Sequence, residues 1–123
     1  MVKPKSAESE LINKIIFGIE DVKGADVNIM DLTNIANTVC GYFIICTGTS
    51  NTHVSAIVSS IKRHVSKQLK EKPFSIEGNE NQEWVLIDYI DVVVHVFQKE
   101  IREYYDIENL WGDAKITKVE LNA

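Results

Sequence analysis

Residues 84–97 read WVLIDYIDVVVHVF, and the way this stretch folds decides the rest of the chain. Two apolar, β-rich runs, Trp84 to Tyr89 and Val92 to Phe97, are separated only by Ile90 and Asp91. A link that short predicts an antiparallel hairpin, because a parallel return needs a long crossover. Side chains on a strand alternate between faces. Trp84, Leu86 and Asp88 therefore point one way, and Val85, Ile87 and Tyr89 the other. On the second run Val92, Val94 and Val96 form an all-valine face that must be core. Asp91, Val93, His95 and Phe97 are left on the opposite face, beside Asp88. Carboxylates and an imidazole at this spacing could act as an acid–base cluster. No serine, cysteine or lysine nucleophile is placed next to them by sequence. The reading preferred on chemistry is a half-exposed sheet face with His95 hydrogen-bonded to a carboxylate.

Outward from the hairpin, the N-terminal side carries the clearest helix. Val54, Ile57, Val58, Ile61, Val65 and Leu69 recur at three-to-four spacing, with Asn51 or Thr52 as the expected cap. Before it, Tyr42 to Thr47 (YFIICT) is a nearly continuous apolar run, as expected for a central strand covered on both faces. Asp26 to Leu32 reads as a further strand and Thr33 to Thr38 as a loop or turn. An amphipathic helix runs from Ser6, its cap, to Val22, with Lys23-Gly24 as its stop. Between the second helix and the hairpin, Phe74 to Glu77 is a short strand and Gly78 to Asn81 a turn. After the hairpin, Gln98 to Trp111 has helical spacing, and the last eleven residues form a tail or one more short strand. The fold class is α/β: a single domain with a mixed sheet, antiparallel in its C-terminal strands and flanked by helices. Residues 1–5 are expected to be a loose N-terminus, 6–111 the domain and 112–123 a C-terminal tail.

The 123 residues are enough for one core without disulfides or metal. A composition of 45% hydrophobic and 25% charged residues fits a soluble globular protein. No apolar run approaches the ~20 residues that cross a bilayer, so no membrane partner is expected. The net charge of −5 argues against direct binding to a phosphate backbone and suits a basic protein partner. Cys40 and Cys46 are too few for a disulfide framework. The polar start MVKPKSAESE lacks the apolar stretch of a signal peptide. A reducing cytoplasm is the simplest compartment.

YFIICTGTSN runs from a strand through a glycine turn into a helix start, a geometry that can hold phosphate. It is neither a Walker loop nor a dinucleotide fingerprint. Nucleotidyltransferases share this layout but also need clustered carboxylates for metal ions. Thr49 to Lys70 contains no Asp or Glu, so the expected acidic pair is missing. His53, His64 and His95 are scattered and the cysteines lack zinc spacing, so no metal or cofactor is called for. Tyr104, Tyr105 and Trp111 are most simply helix-to-sheet packing, with an interface role left open.

With these residues in view, the chain resembles the ribosomal silencing factor, or Iojap-related, family. The matching stretches are KGADVNIMDL (23–32), YFIICTGTSNTHVSAI (42–57), EGNENQEWVLIDYIDVVVHVF (77–97) and REYYDIENLW (102–111). The resemblance implies a nucleotidyltransferase-like fold without catalytic carboxylates and a factor that is not an enzyme. It implies binding to the large ribosomal subunit through its ribosomal protein number fourteen. That contact blocks joining with the small subunit and represses translation when nutrients are scarce. On this basis Trp84 is the expected buried anchor, since interface hot spots favour Trp, Tyr and Arg. Asp88 and Asp91 face basic side chains of the partner, and Tyr89 and His95 support or flank the patch. Ile90 stands where the family commonly has glycine. A β-branched residue disfavours positive φ, so a different local backbone is expected there. Two other readings stay open: a metal-dependent nucleotidyltransferase using Asp88, Asp91 and Asp31, and a module in which two copies pair.

Overall fold

The computed structural model describes residues 7–35, 40–78 and 80–120. Its elements run α1 (Ala7–Asp21), β1 (Ala25–Asp31), β2 (Tyr42–Gly48), α2 (Asn51–Leu69), β3 (Ser75–Glu77), β4 (Trp84–Asp88), β5 (Val92–Gln98), α3 (Lys99–Tyr105), α4 (Ile107–Leu110) and β6 (Lys115–Lys118). The strands form one six-stranded sheet in the order β3-β4-β5-β2-β1-β6. β2 and β5 pair in parallel, and every other neighbouring pair is antiparallel. The expected mixed sheet and hairpin are both present.

Helices α1 and α2 cover one face. Leu11, Ile12, Ile15 and Ile19 of α1 and Val54, Ile57, Ile61 and Val65 of α2 pack on Val27, Ile44, Val85, Ile87 and on Val92, Val94 and Val96 of β5. Burying such a side chain stabilises the fold by about 1.5–3 kcal/mol, so this layer dominates folding. The two helices cross at Gly18, where an added Cβ would lie 2.8 Å from the Cα of Ile61. Ser60 Oγ donates to the Gly18 carbonyl at 2.7 Å, which satisfies a hydroxyl buried at the crossing.

The opposite face carries two smaller clusters. Met30, Ile45, Phe97 and Ile107 form one, and Leu32, Cys40 and Val93 the other. Among the described residues they are covered by the short α3 and α4, by Ile35 and by the segment around Trp111 and Ala114, and Phe43, Trp84, Leu86 and Trp111 stay partly exposed.

Several expectations are corrected. The helix expected over 98–111 is broken into α3 and α4, because Asp106 takes the left-handed conformation at φ 46. The cap of α2 is Ser50, not the expected Asn51 or Thr52, and its side chain accepts from the His53 N–H. The Lys23-Gly24 stop of α1 is present as expected: Lys23 takes φ 61, and the Lys23 and Gly24 N–H groups donate to the Glu20 and Ile19 carbonyls. Of the two alternatives for the C-terminal residues, the strand is realised at 115–118, paired with β1. The loose end at 1–5, the Ser6 cap and part of the Thr33–Thr38 loop lie outside the described residues.

Candidate functional site

The register of β4 on β5 sets Trp84 opposite Phe97, Leu86 opposite His95 and Asp88 opposite Val93. The Trp84 indole stacks on Phe97, with ring centres 4.8 Å apart, and meets Tyr105 of α3 at the same separation. Its N–H donates to His95 Nδ1 at 3.1 Å. With Nδ1 accepting, a neutral imidazole carries its proton on Nε2. That nitrogen is buried without a hydrogen-bond partner among the described residues. The ring lies edge-on to Phe43, 4.5 Å between centres.

His95 is 4% exposed, not half-exposed, and its partner is an indole, not a carboxylate. The physical reason is coverage: Trp84, Phe43 and Phe97 enclose the ring. Burial pushes its pKa down to about 4, opposed weakly by the Glu108 carboxylate. It is therefore neutral and aromatic in role, a platform that orients the tryptophan.

Tyr89 is also placed away from the surface. It is 6% exposed and belongs to the helix-covered core, on the face opposite Trp84. Burial, and then the nearby Glu71 charge, push its phenol well above the usual range. It supports the hairpin from behind. Asp88 is partly exposed on the Trp84 face, and Asp91 is exposed at the hairpin turn. Asp88 Oδ1 accepts the Ile90 N–H at 2.7 Å. The Asp91 carbonyl accepts from Gly41 and Tyr42, pinning the turn to the start of β2.

The site is therefore wider than the sequence indicated. Tyr104 and Tyr105 are 79% and 50% exposed, so they are not packed between helix and sheet as expected. The break at Asp106 ends α3 after seven residues, none of them fully buried, with Ile101 packed against the Phe97 cluster. Leu86 and Phe43 join the same half-covered apolar face, although their strand pattern alone reads as core. The mount of α3 is ionic. Arg102 donates to the Asp26 carbonyl (2.6 Å), Thr47 Oγ1 (2.7 Å) and Glu108 Oε2 (2.6 Å), and Asn28 donates to the same Glu108 oxygen (2.9 Å). Burial alone would raise the Glu108 carboxyl, but the Arg102 hydrogen bond and charge, then Asn28, outweigh it and hold the group low.

Two donors at the GTSN turn are occupied from within. The Thr49 N–H donates to His53 Nδ1 at 2.8 Å and the His53 N–H to Ser50 Oγ at 3.1 Å. Two groups that an incoming phosphate would need already have partners. Among the described residues no group of three or more His, Cys, Asp or Glu side chains could hold a metal ion. Asp31, Asp88 and Asp91 thus do not assemble into a carboxylate set.

The fold and site define an α/β protein with a half-covered aromatic face on its β4–β5 hairpin, bordered by Asp88 and Asp91. The chain belongs to the ribosomal silencing factor family: the family model described as "Ribosomal silencing factor during starvation" matches residues 4–123. It is 38% identical over 114 residues to a ribosomal silencing factor of Halalkalibacterium halodurans, covering 93% of this chain and 96% of that protein. It is 41% identical over 112 residues to the Chromobacterium violaceum factor, covering 88% of each. A crystal structure of a Chromobacterium violaceum protein superposes with TM-score 0.78 at 37% identity, covering 90% of this chain and 91% of that one. A mouse protein named for mitochondrial assembly of the ribosomal large subunit is 35% identical over 72 residues, covering 57% of this chain and 32% of its own length.

Proposed function

We propose that this chain silences ribosomes by docking on the large subunit, through a basic ribosomal protein, number fourteen, on the face that meets the small subunit. Family membership supports the silencing role, and the name of the mouse relative supports the large subunit as the target. The observation that carries the reading is the aromatic plate. Trp84 is fixed by His95 and Phe97 and bordered by the exposed Tyr105, an arrangement typical of a preorganised hot spot. The acidic side chains of Asp88 and Asp91 and the net charge of −5 suit a cationic partner. Silencing by occupation requires affinity and bulk, not turnover, and places the protein in the cytoplasm with ribosomes.

Co-sedimentation with purified subunits tests this. The protein is expected to pellet with large subunits and not with small ones, and to lower the yield of joined ribosomes. Equal recovery with both subunits, or unchanged joining at saturating protein, would refute it.

A further inference from the structure

The hairpin turn holds a feature that the aromatic plate does not explain. Ile90 has φ 77, and the Asp91 N–H donates to the Tyr89 carbonyl at 3.0 Å. This is a γ-turn of the positive-φ kind, which is rare and strained. A β-branched residue is among the least suited to it. The surroundings hold the turn in place from several sides. Asp88 Oδ1 takes the Ile90 N–H, and Tyr89 N–H donates to the Val92 carbonyl (2.9 Å). Phe74 N–H donates to the Asp88 carbonyl (2.7 Å) and Gly41 N–H to the Asp91 carbonyl (3.0 Å).

The strain has no internal return, because the Ile90 side chain is 58% exposed. An isolated exposed apolar residue is ordinary. An exposed apolar residue held at a conformational cost, between two carboxylates, is not, and strain of this kind concentrates at functional positions.

Resting on the docking function above, we infer that Ile90 is a specificity-determining contact of the same interface. It is a rigid apolar knob that enters a recess on the partner protein ringed by cationic side chains. Asp88 and Asp91 flank the knob and meet that ring. The fixed backbone presents the side chain in one orientation, so little conformational entropy is lost on docking.

The test pairs stability with binding in the full chain. Ile90→Gly and Ile90→Asn relieve the positive-φ strain and remove the apolar contact, while Ile90→Leu keeps the contact. The first two are expected to raise the thermal midpoint by about 4 °C and to weaken large-subunit binding about tenfold. Ile90→Leu is expected to bind within about threefold of the parent. Gly and Asn variants that are more stable yet bind like the parent would overturn the contact and leave the docking function intact. Variants that are less stable than the parent would overturn the strain argument and the inference with it. A parent that fails to bind large subunits would overturn both.

Discussion

The indole N–H of Trp84 donates to Nδ1 of His95, one β-strand away, and the two rings share a cluster with Phe43 and Phe97. The bond and the ring contacts hold the tryptophan in one orientation. It also explains a histidine in the middle of a valine-rich strand: the position needs an acceptor that is flat, neutral and able to pack.

Trp84→Ala is expected to weaken large-subunit binding by about 2 kcal/mol or more, the scale of an interface hot spot. Co-sedimentation across a protein titration reads the loss, with circular dichroism to confirm the fold. Parent-like affinity in a folded variant would remove the anchor.

Asp91→Ala is expected to cost less and to flatten the salt dependence of binding. Asp91 is exposed at the turn, where charge is screened within about 8 Å at physiological ionic strength. Binding measured at three salt concentrations checks this. An identical slope in parent and variant would exclude a role for the charge.

His95 makes stability depend on pH. Burial lowers its pKa from 6.5 to about 4. Between those values the unfolded chain binds a proton that the folded one refuses. The neutral ring's contribution is therefore complete above pH 6.5 and is lost as pH falls toward 4. The total is about 3 kcal/mol. Urea unfolding of parent and His95→Phe across this window should show a steeper decline in the parent. Parallel curves would contradict the assignment.

Arg102→Met is expected to destabilise by about 3 kcal/mol, because it strands the mostly buried Glu108 carboxylate and frees α3 from β1 and β2. The double variant Arg102→Met/Glu108→Gln should recover part of that loss, since no charge is then left unpaired. Additive losses in the cycle would show that the pair is not coupled.

Gly18→Ala should destabilise although alanine is favoured in helices by about 1 kcal/mol. Its Cβ would meet the backbone of Ile61 at 2.8–3.0 Å, which cannot move aside as a side-chain tip can. A net loss of about 1–3 kcal/mol is expected by chemical denaturation. A gain would mean the helices separate at little cost.

The sequence by itself determined the periodic parts of this protein. Alternation and short links fixed the hairpin, the valine core face of β5 and the doubly covered β2, and three-to-four spacing fixed α1 and α2. The strand at 115–118 stayed one of two alternatives, because a short polar edge strand carries almost no apolar signal. Tertiary structure alone decided which half-covered face was which. Alternation says that His95 and Asp88 share a side of the sheet, but not that Trp84, Phe43 and Phe97 would enclose the imidazole. It predicted a glycine-like turn would be avoided at Ile90, yet the Ile90 N–H bond to Asp88 Oδ1 and the N–H donors of Gly41 and Phe74 hold the turn with that residue at positive φ. Local pattern records a residue's own preference. Exposure of Tyr105, burial of His95 and strain at Ile90 depend on what distant segments place against them, and that is set only when the whole chain has packed.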